Sequence, residues 1–444
     1  MIPFDHSIVE TALQMAHEAG AAQARIALER SVENSATVLD GRLDKTLSAS
    51  GSTLFIQLYL DGRYGSFSTN RLEESALREF ISHAAAAVRL ITPDPCRQLP
   101  DPALCWKGPA RDLQQYDPAI ETLTPEARRD KALSACREIL GSHRRLLSVE
   151  TEWGDNIDYS YTADSQGFAG ETLQSNHTIN ANVSIRGRGD ERPEAWWYES
   201  GIRLDEANPE GCGRKALQRA LDQLHPRKLR SGRYDIVIDN MVASKVVSPL
   251  IRALSGGSLQ QRSSFLMDRL GTQVFGENFT LTDDPFVPGL PGSRLFDGDG
   301  LATTRREIIA RGVVNAYFIP HYYALKMGIP ATVDAPSVLR FSRIGENSEK
   351  VLNLPALLEQ TGQGILITDF NGGNCNPSTG DFSYGIRGFR FEKGRIVHPV
   401  REMNITGNML ELWNHLTAVG DDPRTSSRWA VPSLAFEGVN FSGI

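Results

Sequence analysis

Leu54-Phe55-Ile56-Gln57-Leu58-Tyr59-Leu60-Asp61-Gly62 is the stretch that decides the fold class. Leu54, Ile56, Leu58 and Leu60 alternate with Phe55, Gln57 and Tyr59, the two-residue period of a strand with one buried face. Asp61-Gly62 follows with two residues that tolerate positive φ, which a two-residue hairpin turn demands at both positions. The period then changes. From Leu72 to Leu90, Leu72, Ala76, Phe80 and Ala84 recur every fourth residue and mark one face of a helix. Hairpins interleaved with helices predict an α+β architecture, with mixed sheets and packed helices.

The same reading extends in both directions. Ser7-Ile8-Val9-Glu10 has the form of a capping box and opens a helix that stops at Gly20. Thr124-Pro125 caps and starts another, with Leu133, Cys136 and Leu140 on one side. Further helices are expected from Asn208-Pro209 to Leu224, near Met241 to Leu254, over Leu354 to Thr361 and over Met409 to Val419. Strands are expected at Ile157 to Tyr161, Thr178 to Ile185 and Tyr234 to Ile238, and tight turns at Arg311-Gly312 and Lys393-Gly394. Ile91 to Pro118 is proline-dotted and reads as an irregular crossing loop. Lys228 to Gly232 is basic and turn-like, and marks a boundary between an N-terminal α+β domain, 1–230, and a β-rich C-terminal domain, 231–444.

Composition narrows the function classes. The chain has 444 residues, 40% apolar and 23% charged, enough for two or three domains with their own cores. A net charge of -7 argues against general binding of nucleic acid or anionic membrane. No run of apolar residues is long enough to span a bilayer, and Met-Ile-Pro-Phe-Asp-His at the start has no basic, then apolar, secretion signal. Cys96, Cys105, Cys136, Cys212 and Cys375 are few, odd in number and lack a CxxC pair, which fits reduced thiols in a cytoplasmic protein. Arg188-Gly189-Asp190 reads as a turn.

Most chemical signatures are missing. A thermolysin-type zinc helix needs a second histidine one turn after His-Glu, but His17-Glu18 is followed by Ala21 and Ala22. His321, His398, His415 and Cys375 are scattered, without a ligand spacing. There is no G-x-S-x-G elbow and no phosphate-binding P-loop. Gly256-Gly257-Ser258 reads as a helix stop, and Asp297-Gly298-Asp299-Gly300 as a turn in place of a calcium loop. Two segments stand out as richer than scaffolding requires. They are Ala253-Leu254-Ser255-Gly256-Gly257-Ser258-Leu259-Gln260-Gln261-Arg262-Ser263-Ser264-Phe265-Leu266 and the run from Gly372-Gly373-Asn374-Cys375 to Ser383-Tyr384-Gly385. Both concentrate glycines and hydroxyls that let backbone approach a ligand.

These segments resemble the TldD/PmbA family, a peptidase family also labelled modulator of DNA gyrase, and within it the PmbA branch, also called TldE. The resemblance rests on Ser255 to Leu270, on Thr303-Thr304-Arg305-Arg306-Glu307-Ile308-Ile309, and on Asn376 to Ser383 with Gly388-Phe389. It continues from Gly394 through Pro399-Val400 to Ile405-Thr406-Gly407-Asn408, and on to Gly420-Asp421-Asp422. It is dense in the second domain and loose in the first, where the Asp61-Gly62-Arg63 hairpin carries it.

The resemblance implies a zinc peptidase assembled from two related subunits. The TldD-type subunit carries a His-Glu-x-x-x-His helix, and a cysteine near its C-terminus completes the metal site. Aligned here, the first histidine falls on Arg252, the glutamate on Ala253 and the second histidine on Gly257. Arginine keeps its proton, and alanine and glycine have no ligand atom. Gly420 to Pro432, near the family's cysteine, contains none.

The expectation is therefore a chain that binds no cofactor itself, with zinc in a TldD-type partner. Its role would be to help hold a peptide through Ser255, Gly256, Gly257, Ser258, Gly372, Gly373 and Thr379, by strand addition in an enclosed site. A homodimer is expected when the partner is absent. Two other readings stay open: a metallopeptidase active on its own, and a non-enzymatic protein-binding modulator of gyrase.

Overall fold

The computed structural model describes residues 6–343 and 351–443. The reading of no secretion signal over Met1 to His6 falls largely outside them. The chain divides into two compact units, 1–220 with 294–303 and 320–333, and 221–293 with 304–319 and 334–444.

The first unit is built on one antiparallel sheet of six strands in the order β3-β2-β1-β4-β5-β6. They are β1 (Gln23–Leu39), β2 (Arg42–Leu60), β3 (Arg63–Thr69), β4 (Leu146–Asp164), β5 (Ala169–Ile185) and β6 (Glu194–Gly201). The helices are α1 (Ser7–Glu18), α2 (Glu74–Val88), α3 (Pro125–Arg137) and α4 (Cys212–Asp222), whose last turn runs into the second unit. The Asp61-Gly62 turn forms as expected, with φ of 50° and 70°. Leu54, Ile56, Leu58 and Leu60 are buried against Val9, Ala12, Met15 and Ala16 of α1 and Leu77 and Ile81 of α2.

Because β1 alternates, Ala24, Ile26 and Leu28 enter that same cluster, while Ala36 and Val38 are buried at the other end of the strand, where α3 packs on β1 and β4. One sheet face is thus covered at both ends by different helices.

Local signals hold with adjustments. The Thr124 hydroxyl caps α3 by accepting from the Ala127 amide at 3.1 Å. The capping residue of α1 is His6 and not Ser7, which is already the first helical residue. The helix expected from Asn208-Pro209 begins at Cys212, because Asn208 instead closes a turn on the Glu210 amide at 2.9 Å. Asp297 Oδ1 accepts from the Asp299 and Leu301 amides at 2.9 and 2.8 Å, so this carboxylate shapes a turn.

The second unit is organised by a closed ring of strands. β7 (Gly232–Ile238), β12 (Gln363–Cys375), β13 (Asp381–Glu392), β14 (Arg395–Asn408) and β16 (Leu434–Ser442) run in the order β14-β13-β12-β7-β16, and β14 pairs back onto β16. The ring is a small barrel, and closure removes the free edges that an open sheet would leave. β7 and β12 are parallel and the other neighbours antiparallel, so the sheet is mixed. β15 (Leu416–Val419) extends it from β16. A smaller sheet joins β8 (Leu281–Asp283), β9 (Arg306–Ala310), β10 (Val313–Val314) and β11 (Leu339–Phe341).

α5 (Ser244–Ala253) and α6 (Gly256–Gln260) follow β7 in this unit. α7 (His321–Met327) lies in the segment that groups with the first unit. α8 (Leu354–Thr361) and α9 (Met409–Asn414) complete the second. The helix expected from Met409 to Val419 is cut at Asn414, because Leu416 to Val419 pairs with β16. Tertiary pairing overrides the helical spacing there. Trp413 is fully buried and stacks on Phe279 at 4.8 Å. The Arg311-Gly312 and Lys393-Gly394 turns both take positive φ at both residues, as expected.

A buried histidine makes the first unit sensitive to acid. His177 is 0% exposed, stacks on Trp153 at 5.1 Å, and neither ring nitrogen has a hydrogen-bond partner among the described residues. Burial, aided by the nearby Lys131 and opposed by Asp155 and Asp117, lowers its pKa from 6.5 to about 4. The unfolded chain therefore binds a proton that the folded chain refuses. The contribution of neutral His177 is complete above pH 6.5 and is lost as pH falls towards 4, a loss of up to ~3 kcal/mol. Urea unfolding at stepped pH is expected to show this slope, and His177→Phe to flatten it.

Candidate functional site

The site is built on the junction of α5 and α6. α5 buries Val246, Val247, Leu250 and Ile251, which leaves Arg252 on its exposed side and Ala253 at 1% exposure. The helix ends at Ala253, and Ser255 turns the chain at once into α6. The Ser255 hydroxyl donates to the Arg252 carbonyl at 2.8 Å and accepts from the Ser258 amide at 3.4 Å. Gly256 and Gly257 are therefore the first residues of a new helix and not a helix stop, and neither has positive φ.

The junction is held from outside as well. The Gly256 amide donates to the Phe318 carbonyl at 2.7 Å, and the Phe318 amide to the Leu254 carbonyl at 2.9 Å. Ser264 Oγ donates to the Ala253 carbonyl at 2.6 Å. Arg252 and Ser255 open onto a small cleft of about 180 Å³, also lined by Ser248, Phe318, Asp334 and Trp429.

The second glycine-rich segment forms the end of the β12–β13 hairpin. Gly372 and Gly373, with φ of 101° and 83°, lie where the pairing of β12 with β13 slips between Phe370 and Gly373. Both are exposed. The turn beyond is closed by bonds from the Asn376 amide to the Asp381 carbonyl and from the Gly380 amide to the Asn376 carbonyl, each 2.8 Å. Thr379 Oγ donates to Asp381 Oδ2 at 2.7 Å, and Asn408 Nδ2 donates to the Thr379 carbonyl at 2.8 Å.

The structure brings the two segments together. The Phe265 amide donates to the Pro377 carbonyl at 3.0 Å, and the Phe265 ring lies against Gly380. Burial pushes the Cys375 thiol above its usual pKa; Asp381 adds to this, and the Arg252 charge opposes it. Ser255, Gly256, Gly257, Ser258, Gly372, Gly373 and Thr379 thus belong to one region of the second unit. They are not equally available: Gly256 and Ser258 are buried, with the Gly256 amide already bonded, whereas Gly372, Gly373, Thr379 and Arg252 face solvent. Phe318, Asp334 and Trp429 gave no sequence signal, since each comes from a separate loop whose approach only folding creates.

This geometry sits in a recognisable frame. Residues 24–88, 118–224 and 231–443 match the models of PmbA/TldA metallopeptidase domain 1, the central domain and the C-terminal domain, respectively. The chain belongs to the TldD/PmbA metallopeptidase family. It is 27% identical to the metalloprotease PmbA of Escherichia coli O157:H7, over 98% of this chain and 95% of that one. It is 28% identical to a PmbA homologue of Haemophilus influenzae, with the same coverage. A crystal structure from Bacteroides thetaiotaomicron, of a protein labelled a modulator of DNA gyrase, superposes with a TM-score of 0.96 at 42% identity, over the full length of both chains. TldE from Thermococcus kodakarensis shares the fold, with a TM-score of 0.84 at 19% identity over 98% and 100% of the two chains.

The three positions to which the sequence reading assigns a vacant metal motif carry side chains that are poor metal donors. Arg252 offers a permanent cation, Ala253 a methyl group and Gly257 no side chain. Arg252 and Gly257 also fall on different helices, α5 and α6. Among the described residues no three His, Cys, Asp or Glu side chains are grouped to hold a metal. His398 Nδ1 lies 3.1 Å from the Pro399 carbonyl, His415 caps α9, and His321 is buried in the first unit.

Proposed function

We propose that this chain is the non-catalytic, PmbA/TldE-type subunit of a zinc peptidase that degrades flexible peptides with a TldD-type partner. The observation that carries the reading is the side-chain chemistry at Arg252, Ala253 and Gly257. A site with a guanidinium, a methyl group and a hydrogen in place of two imidazoles and a carboxylate cannot hold zinc or activate water. The scaffold around those positions is nonetheless tightly bonded, which suits a wall that encloses a partner's site and excludes water. Gly372, Gly373 and Thr379 are the exposed backbone and hydroxyl groups of that wall and the first candidates to contact an extended peptide. The pair works in the cytoplasm on this reading; among the described residues no helix is long and apolar enough to cross a membrane. Without its partner the chain is expected to self-associate as a homodimer through the shared surface.

The test compares this chain alone, a TldD-type partner alone and their mixture on an unstructured peptide, with zinc quantified in each. The expected result is no stoichiometric zinc and no peptidase activity for this chain alone, and more activity for the mixture than for the partner. Stoichiometric zinc or turnover with this chain alone would overturn the assignment.

A further inference from the structure

One face of α5 carries a charge that the missing metal chemistry does not explain. Ser248, Ile251 and Arg252 are spaced i, i+3 and i+4, so they share one side of the helix, and all three line the cleft of about 180 Å³. Phe318, Pro336 and Trp429 complete the lining with apolar surface. All of these residues belong to the second unit. The backbone fixes the apolar walls. The Phe318 amide donates to the Leu254 carbonyl at 2.9 Å, the Leu339 amide to the Trp429 carbonyl at 3.2 Å, and the Ser337 amide, next to Pro336, to Asp283 Oδ1 at 2.7 Å. The cleft lies below the roughly 300–1,000 Å³ of sites that enclose a whole ligand, and suits a single side chain.

Arg252 is exposed, and among the described residues its guanidinium makes no hydrogen bond or ion pair. A cation in the last turn of a helix is favoured by the helix dipole. That accounts for the sign of the charge, but not for its place at an apolar cleft without a carboxylate to pair with. Asp334 is the one carboxylate among the lining residues, and it has a partner of its own. The Arg252 charge also bears on the Cys375 thiol at the end of β12, so the guanidinium is near both the cleft and the hairpin that carries Gly372 and Gly373.

We propose that Arg252 and this cleft bind the C-terminus of a peptide, with the α-carboxylate on the guanidinium and an aliphatic last side chain against Ile251, Phe318, Pro336 and Trp429. The inference takes its peptide ligand from the reading of the chain as a peptide-holding subunit, and rests on it. A guanidinium without a partner recognises a carboxylate by two parallel hydrogen bonds. An exposed ion pair alone contributes little, so the apolar contact beside it is what selects the ligand. The side chain of an internal Asp or Glu would satisfy Arg252 but leave the cleft empty. A peptide N-terminus would bring a second cation to Arg252.

Calorimetric titration of the full chain with acetyl-Gly-Ser-Gly-Ala-Leu, whose only charge is its C-terminal carboxylate, is expected to show saturable binding at one site per chain. The C-terminal amide of the same peptide is expected to bind about fivefold more weakly or worse, since a bidentate charged pair is lost. Arg252→Met is expected to weaken the acid by the same factor and to leave the amide unchanged, and Arg252→Lys to fall between, because it keeps the charge but not the fork. Trp429→Ala is expected to weaken acid and amide alike. An unchanged unfolding midpoint shows that each variant is folded. Absence of saturation by the acid, or equal affinities for acid and amide, would overturn the site. Binding of acetyl-Gly-Ser-Gly-Glu-amide as tight as that of the acid would overturn the assignment to a C-terminus. The mixed-subunit peptidase assay separates the two readings. A mixture more active than the partner alone, without acid-selective binding, sinks this site and leaves the subunit assignment. Acid-selective binding without that gain in activity supports the site and sinks the assignment.

Discussion

Replacing Asp155 with alanine is expected to lower the stability of the first unit by about 3–5 kcal/mol, among the largest effects of any single polar substitution in this protein. Asp155 has a side chain only 1% exposed and sits on β4 beneath α3. It accepts from Arg128 Nε at 2.6 Å, Arg128 Nη2 at 2.9 Å, Trp153 Nε1 at 3.0 Å and Asn34 Nδ2 at 3.3 Å. The bidentate pair ties α3 to the sheet, and Arg128 Nη1 also holds the Leu123 carbonyl at 2.6 Å, just before the helix starts. Removing the carboxylate leaves a guanidinium, 9% exposed, and an indole N–H without their acceptor. That desolvation penalty exceeds what the intact pair contributes, because forming a buried pair also removes two ions from water. The double variant Arg128→Met/Asp155→Leu, which strands no charge, is therefore expected to recover most of the loss. Equilibrium urea unfolding of the wild type and the two variants checks this. A loss below about 1 kcal/mol for Asp155→Ala would show that the pair is not desolvated as the structure has it.

The elements legible in the sequence were those whose alternation met a single continuous environment. Leu54 to Leu60 could be read because every second residue packs on α1 and α2, and Thr178 to Ile185 because Ile179, Ala181, Val183 and Ile185 are all buried. The same two strands continue well beyond those stretches. Arg42 to Gly51 of β2 is mostly exposed on both faces, so its side chains carry no period, and its pairing with β1 is set by the Asp40-Gly41 turn and the backbone ladder. Barrel closure was equally silent. The contact of Asn404 to Thr406 with Asn440 to Ser442 joins short, partly polar segments whose only shared property is register.

The candidate site divides in the same way. That the two glycine-rich segments were unusual could be read from composition, and that Arg252, Ala253 and Gly257 lack ligand atoms followed from their chemistry. Their adjacency could not, because it depends on the bond from Phe265 to Pro377 and on Phe318 holding Leu254 and Gly256 between its carbonyl and amide.

Gly372 and Gly373 look alike in sequence, yet their alanine variants are expected to separate. Both occupy the left-handed region, where a Cβ costs roughly 1–2 kcal/mol. Around Gly372 there is nothing within 4 Å of an added Cβ. At Gly373 the added Cβ would fall on the Ser383 carbonyl oxygen of the partner strand, inside contact distance, with the Tyr384 Cα at 2.8 Å. Backbone on a neighbouring strand cannot move aside as the tip of a side chain can. The slip in register between Phe370 and Gly373 is thus where β12 and β13 approach too closely for any side chain. Gly373→Ala is expected to add a packing cost of ~1–3 kcal/mol to the backbone strain, for a total of about 2–5 kcal/mol, whereas Gly372→Ala is expected to lose only the strain.

Urea unfolding of the two variants measures the difference, and the mixed-subunit peptidase assay gives it a functional meaning. Gly373 is required by the fold whether or not a peptide touches it, so lost activity in its variant says little about contact. Around Gly372 an added Cβ meets nothing within 4 Å, so its variant can report on peptide contact. A folded Gly372→Val protein that supports peptide degradation at the wild-type rate would remove this hairpin from the peptide-binding wall. A folded one that lowers turnover by tenfold or more, with its partner still bound, would place Gly372 in that wall.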